Sequence, residues 1–188
     1  VLKLGDNIST DEILKAGVKV LSYRSNIPEI SKWTYSVIRE DFYVHAEKAK
    51  QEYGGHIVVA GDNYAQGSSR EHAAIAPRYL GQVAVLAKSY ARLGWQNLVN
   101  FGVIPFEFAD PRDYDAIDEY DIITLENLTN AFRHERPVMA YNETKKIKYA
   151  LKHSLSERQV QIVLRGGVIN YFRMPADAPE ETLATSES

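Results

Sequence analysis

One stretch limits what this chain can fold into. A β-type run, His56-Ile57-Val58-Val59-Ala60, leads into a polar loop, Gly61-Asp62-Asn63-Tyr64-Ala65-Gln66-Gly67-Ser68-Ser69-Arg70-Glu71-His72, and an Ala-rich apolar segment over 73–80 leads out. The order is strand, loop, helix, and it recurs. Val83 to Ala87 reads as a buried strand, Ser89 as the cap of a helix reaching about Asn100 and closed by Gly102, and Val103 to Phe108 as a further strand. Alternation of this kind from His56 to Phe108 builds a βαβαβ unit, so the expected core is a mainly parallel sheet flanked by helices. Binding loops of such sheets lie beyond the strand carboxyl ends, which is where the serine loop falls.

The loop carries chemistry suited to an anion. Ser68 or Ser69 would cap the helix, whose N–H groups and positive dipole end favour a carboxylate or phosphate. Arg70 adds a planar donor fork that matches a carboxylate. Gly67 lets the backbone come close to a ligand. The plainer alternative is a capped helix start on a surface turn.

The remaining elements are shorter. Val1 to Leu4 reads as a strand, and Ser9-Thr10-Asp11 as the start of a short helix from Glu12 to Ala16, stopped by Gly17. Val18 to Tyr23 alternates like a strand. Thr34 to Tyr53 shows helical spacing and ends at Gly54-Gly55. Pro77 inside the helix after the serine loop argues for a kink or an early stop. Strands are expected at Asp121 to Leu125, Val138 to Tyr141 and Ile147 to Leu151, then a helix from Glu157 to Arg165 capped by Ser156. Two units follow: a folded domain over residues 1–174, and a Pro/Glu/Ser/Thr tail over 175–188 expected to be disordered.

Composition narrows the partners. A net charge of −3 gives no whole-molecule attraction for nucleic acid or anionic lipid, so anion binding must come from a local cluster. No apolar run reaches the roughly 18 residues of a spanning helix. There is no cysteine, so the chain itself can form no disulfide or thiolate metal site. Five histidines without ligand spacing give no metal site either. A first residue of Val1 suggests an excised or processed piece.

Four segments resemble the swivelling domain shared by aconitases and isopropylmalate isomerases. They are the Asn63-Tyr64-x-Gln66-Gly67-Ser68-Ser69-Arg70-Glu71-His72-Ala73-Ala74 loop, Gly5-Asp6-Asn7-Ile8-Ser9-Thr10-Asp11, Tyr23-Arg24-Ser25-Asn26-Ile27-Pro28, and Ala87-Lys88-Ser89-Tyr90-Ala91-Arg92-Leu93. The resemblance implies an α/β swivelling β/β/α domain of the C-terminal or small-subunit type, nearest in appearance to aconitase. It implies a hydro-lyase that isomerises citrate and isocitrate through cis-aconitate, with the small subunit of 3-isopropylmalate isomerase or of homoaconitase as alternatives. Carried across, Ser68 is the catalytic base, and Arg24, Ser69, Arg70 and Asp11 bind substrate or organise its site. Gly67, Glu71 and His72 support the loop, and Arg92 could brace it.

Arg24 bears on the substrate, since a tricarboxylate needs several fixed cations to offset carboxylate desolvation. The family's [4Fe-4S] cluster would belong to cluster-bearing large domains or a large subunit, leaving this chain inactive alone. The implied setting is cytoplasmic or the mitochondrial matrix, without membrane contact.

Three departures from the pattern stand out. Glu12 replaces a usual His, Ala65 replaces a usual Gly and is expected to avoid φ > 0, and a His usual near Gly94 is missing. A serine hydrolase is disfavoured because Arg70, not Gly, stands two residues after Ser68. A phosphate loop lacks its Gly-Lys-Ser/Thr ending. An RNA-binding half of a cluster-free relative is disfavoured by the net charge.

Overall fold

The computed structural model describes residues 1–173 except 16, 18, 19, 21 and 134–136. The tail expected over 175–188 lies outside the described residues.

Among the described residues, seven strands form one sheet. They are β1 (Leu2–Lys3), β2 (His56–Ala60), β3 (Gln82–Ala87), β4 (Ile104–Phe108), β5 (Ile123–Glu126), β6 (Val138–Asn142) and β7 (Ile147–Lys152), in the order β1-β2-β3-β4-β7-β6-β5. β1 to β4 are parallel, while β4 pairs β7 antiparallel and β5, β6 and β7 form an antiparallel meander. The β-rich second half therefore extends the parallel sheet sideways. β2 is buried along its whole length, as expected of a parallel strand covered on both faces.

Around the sheet lie α1 (Thr10–Ile13), α2 (Ile27–Ser31), α3 (Phe42–Tyr53), α4 (His72–Tyr79), α5 (Arg92–Asn100), α6 (Leu128–Arg133), α7 (Glu157–Leu164) and α8 (Val168–Arg173). Two large apolar clusters sit on opposite sides of the parallel strands. Val58, Ala60, Val85 and Ala87 belong to one, and Ile57, Val59, Ala84 and Leu86 to the other. That split is the period-two alternation of a strand. Ser9 and Ser156 each make a full capping box, with Glu12 and Gln159 as their partners. Glu12 thus spends its carboxylate on Ser9, whose N–H and hydroxyl both donate to it at 2.8 Å.

Several expectations are corrected. The helix expected from Thr34 begins at Phe42, and Tyr35 is left-handed at φ 51. A tertiary contact outweighs the helical spacing: the Tyr35 hydroxyl lies 2.6 Å from that of Tyr64 and donates to Gln82 Oε1 (3.1 Å), all inside the core. Of the run expected as a strand over Val18 to Tyr23, residues 18, 19 and 21 lie outside the described residues; of the rest, Val20 is helical and Ser22 and Tyr23 form a turn. Val20 packs with Leu14, Ile30 and Ala76 in a separate small cluster, which rewards one buried side chain and not an alternating face.

Neither Ser68 nor Ser69 caps α4. That helix starts at His72 behind Glu71, with no side-chain cap. Ser89 does not cap α5 either; its hydroxyl donates to Asp62 Oδ1 (2.9 Å) and accepts from the Asn63 N–H (2.9 Å). Helices α6 and α8 were not anticipated.

Ala65 adopts φ 62, against expectation, and Gly94 makes this possible. A Cβ on Gly94 would lie 2.4 Å from the Ala65 Cβ and 2.7 Å from its carbonyl oxygen. Left-handed backbone at a residue with a Cβ costs roughly 1–2 kcal/mol, and overpacking typically costs about 1–3 kcal/mol. Gly94→Ala is expected to destabilise by about 3 kcal/mol, and adding Ala65→Gly to recover part of that. Urea unfolding of both single variants and the double variant measures the coupling.

His56 is buried against the T-shaped edge of Phe42, with neither ring nitrogen hydrogen-bonded. Desolvation lowers its pKa to about 4. The folded chain therefore resists a proton that the unfolded chain accepts near 6.5. Stability is full above pH 6.5 and falls as pH drops towards 4, by about 2 kcal/mol at pH 5. Denaturant midpoints at pH 7 and pH 5 measure this loss, and His56→Phe should remove most of the difference.

Candidate functional site

The parallel strands deliver three loops to one corner. Residues 4–10 follow β1, residues 61–70 follow β2 and residues 88–91 follow β3. Backbone bonds zip the middle loop to both neighbours. On one side Asn7 N–H donates to the Asp62 carbonyl (2.7 Å), Gln66 N–H to that of Ile8 (3.1 Å) and Thr10 N–H to that of Gln66 (2.8 Å). On the other, Tyr64 N–H donates to the Ser89 carbonyl (3.0 Å) and Ala91 N–H to that of Tyr64 (2.9 Å).

Side chains reinforce the zip. Asn63 Nδ2 donates to Asn7 Oδ1 (3.1 Å) and to Gln66 Oε1 (3.0 Å), and Gln66 Nε2 donates to the Asn7 carbonyl (2.7 Å). Below the loop Tyr64 is fully buried, and burial pushes its phenol up to about 12, so it stays a protonated donor in the Tyr35–Gln82 network. Tyr64 also meets Tyr90 edge-on, and the Tyr90 hydroxyl lies within 2.8 Å of the Val85 carbonyl and 2.7 Å of the Phe106 carbonyl.

On this frame the candidate residues gather. Gly67 is at φ 105, a conformation that favours glycine, and its missing Cβ leaves room beside Thr10 Oγ1. Ser68 is exposed, with its Oγ 3.4 Å from Thr10 Oγ1. Ser69 is exposed next to it. Arg70 turns back onto the β1 side, where its Nη1 donates to Asp11 Oδ1 (2.6 Å) and to the Leu14 carbonyl (3.3 Å). Both bonds use Nη1. Nη2 and Nε make no hydrogen bond among the described residues, and an edge of this kind has the donor geometry that suits a carboxylate.

Arg24 belongs to an exposed turn, and its carbonyl lies 2.8 Å from His72 Nε2. His72 therefore ties the Arg24 turn to the first residue of α4, directly behind the serine loop. Glu71 supplies the N-cap backbone position of that helix. Arg92 is the first residue of α5, which leaves the neighbouring loop. Three segments of sequence are thus tied together: residues 68–72, Asp11 through Arg70, and the Arg24 turn through His72.

Two features were missed from sequence. Thr10 reads there as part of a helix cap, yet its hydroxyl faces Ser68. Ser89 reads as a helix cap, yet it cross-links the loop. Neither side chain declares its partner without the parallel pairing of β1, β2 and β3.

The site is an open face. A cleft of about 390 Å³ lined by Phe42, His45, His56 and Tyr120, and one of about 880 Å³ lined by Phe132, His153, Leu155 and Arg158, both lie away from the serine loop. Hydroxyls as exposed as those of Ser68 and Ser69 remain hydrated. A four-iron cluster finds no ligands in this chain: the sequence contains no cysteine, and the described residues contain no grouping of three or more His, Asp or Glu able to hold a metal ion. Among the described residues no helix is long and apolar enough to cross a membrane.

Comparison with known proteins agrees with this arrangement. The Aconitase C-terminal domain family matches residues 3–111, the segment holding the end of β1, β2 to β4 and all three loops. A putative mitochondrial aconitate hydratase of Emericella nidulans is 35% identical over 190 residues, spanning 89% of this chain and 24% of that protein. The 3-isopropylmalate dehydratase small subunit 2 of Archaeoglobus fulgidus is 34% identical and covered to 93% in both directions. A crystal structure of 3-isopropylmalate dehydratase from Methanocaldococcus jannaschii superposes with a TM-score of 0.72 at 29% identity, covering 92% of this chain and 90% of that one. The chain spans about a quarter of the aconitate hydratase it matches. With its seven-stranded sheet, its three zipped loops and these relatives, the chain belongs to the aconitase C-terminal domain family, the group of swivelling domains that includes isopropylmalate dehydratase small subunits.

Proposed function

We propose that this chain is the swivelling part of an aconitase-type hydro-lyase, acting on citrate and isocitrate and supplying the base and the carboxylate-binding cations. The observation that supports this reading is the exposed Ser68 on the loop zipped beyond the parallel strands, two residues before an Arg70 braced by Asp11 (2.6 Å), with the Arg24 turn tied by its carbonyl to His72 (2.8 Å). Family membership and the likeness to the Emericella nidulans aconitate hydratase support it.

In this role Ser68, as alkoxide, takes the proton from the carbon beside a substrate carboxylate. A serine does this only where its anion is stabilised. Arg70 lies two residues on and contributes positive charge, while its open edge and Arg24 orient carboxylates. Asp11 fixes the guanidinium so that little reorganisation remains when substrate arrives. Ser69 presents a further donor on the same exposed turn.

Departure of the hydroxyl group calls for a Lewis acid, which in such an enzyme is the cluster's contribution. The sequence has no cysteine to ligate a cluster, so in this reading the partner is a cluster-bearing set of domains or a large subunit that closes over Ser68. That partner would also exclude water from Ser68. A cytoplasmic or mitochondrial-matrix location goes with the same reading.

A second reading, dehydration of isopropylmalate, rests on the likeness to the Archaeoglobus fulgidus small subunit and the Methanocaldococcus jannaschii structure. Substrate choice separates the two. An isopropylmalate site must receive a branched apolar group where a tricarboxylate places a charged one, and an uncompensated buried carboxylate carries a cost of several kcal/mol.

In the enzyme assembled with its cluster-bearing part, Ser68→Ala is expected to lower kcat by at least about a hundredfold without altering the fold. Steady-state turnover together with far-UV circular dichroism checks this, and near-normal turnover would remove Ser68 as the base. Arg24→Lys is expected to raise KM for citrate about tenfold, because a point charge replaces a bidentate fork. Parallel assays with citrate and 3-isopropylmalate decide the substrate: turnover of isopropylmalate alone would replace the tricarboxylate reading.

A further inference from the structure

We infer that Thr10 is a positioning residue for the base: its hydroxyl donates a hydrogen bond to the Ser68 oxygen and so favours the alkoxide. The inference rests on the reading of Ser68 as base and adds to it a residue from a different loop. Thr10 is almost fully buried, 4% exposed, although it carries a hydroxyl. A buried hydroxyl needs a partner, and the partner the structure gives it is Ser68 Oγ at 3.4 Å.

Its backbone is held on both sides. The Thr10 N–H donates to the Gln66 carbonyl (2.8 Å), and the Thr10 carbonyl accepts from the Leu14 N–H (2.9 Å). The Ser9–Glu12 capping box fixes the turn immediately before it. Gly67 completes the arrangement, since a Cβ at that position would come to 3.3 Å from Thr10 Oγ1. The segment after β1 therefore aims a fixed hydroxyl at the serine that the segment after β2 presents.

The chemistry follows from charge. Between two neutral hydroxyls the bond is weak, and either oxygen can be the donor. Once Ser68 is an anion only Thr10 can donate, and a hydrogen bond to an ionised acceptor is shorter and roughly twice as strong. The interaction thus stabilises the charged form selectively, which lowers the pKa of Ser68. In the proton-transfer step the substrate C–H bond breaks, its proton passes to the Ser68 oxygen, and the electron pair stays on the substrate carbon. Thr10 keeps its own proton throughout. The Arg70–Asp11 pair lies beside this contact but holds neither hydroxyl, so the two aids to Ser68 are separable by substitution.

The test uses the assembled, cluster-loaded enzyme containing this chain, with Thr10→Val, Thr10→Ser, Ser68→Ala and the Thr10→Val/Ser68→Ala pair. Loss of one donor to a developing oxyanion typically costs 10²–10³ in kcat; for one long hydroxyl contact a fall of about tenfold to a hundredfold is expected in Thr10→Val, with KM within about twofold. The acid limb of the kcat–pH profile should move to higher pH. Thr10→Ser, which keeps the donor, should restore both. On a Ser68→Ala background Thr10→Val should cost nothing further.

An unchanged kcat and pH profile in Thr10→Val, alongside an inactive Ser68→Ala, would overturn the role of Thr10 and leave the base intact. An active Ser68→Ala would overturn the base itself, and this inference with it. Where Thr10→Val does not assemble, Thr10→Ser against Thr10→Ala gives the same contrast: equal activities would overturn the proposal.

Discussion

Backbone hydrogen bonds hold the polar loop after β2 between the loops after β1 and β3, and the rest of the candidate site depends on them. The parallel sheet sets the terms. Strands that run in one direction deliver their following loops to one end, where the next residues can go on pairing after the sheet has stopped. Isolated bridges between Ser9 and Gln66 and between Tyr64 and Tyr90 are that continuation. With its backbone satisfied on both sides, a ten-residue loop can hold Ser68 in the open without burying unpaired amides.

Strain is concentrated in this loop. Asn63 and Ala65 are both left-handed, as is Asn7 on the neighbouring loop. An asparagine tolerates that conformation better than most residues with a Cβ, whereas an alanine gains nothing from it. The strain persists because the surroundings over-determine it: Tyr64, between the two, is fixed by its buried hydroxyl, and Gly94 vacates the volume that Ala65 needs. The same economy appears on the acidic side, where Glu12 stands near a site meant for anions. Its carboxylate is turned onto Ser9, so its charge serves the cap of α1.

The open face and the missing cluster ligands have a common consequence. A base made from serine works only in a dry, positively charged setting; under the proposed reading this chain brings the arginines, while Ser68 itself is exposed. Under that reading Arg70 is fixed in advance by Asp11 (2.6 Å), and the wall that would exclude water is the partner's. A domain that carries half of a site on its strand ends, and carries it rigidly, is suited to moving as a body against the other half.

Sequence alone determined the parts governed by local periodicity and by short motifs. Alternation from His56 to Phe108 implied the parallel unit, the glycine pairs at 54–55 and 166–167 marked helix ends, and the Ser9-Thr10 pair and Ser156 announced helix caps. The loop pattern from Asn63 to Ala74, with the Asp6-to-Asp11 and Arg24 segments, identified the family. Tertiary structure decided whatever depends on contact between distant segments. Thr34 to Tyr53 has the spacing of one long helix, but burying the Tyr35 hydroxyl against Tyr64 and Gln82 outweighs the modest preference of eight residues for helix. Ser68 and Ser89 both precede helices and look like caps; they are drawn off because parallel pairing places Thr10 beside one and Asp62 beside the other. Propensity acts within a turn or two of chain, whereas a hydroxyl binds the partner that the fold brings to it, and in this protein that partner lies 27 residues away for Ser89 and 58 for Ser68.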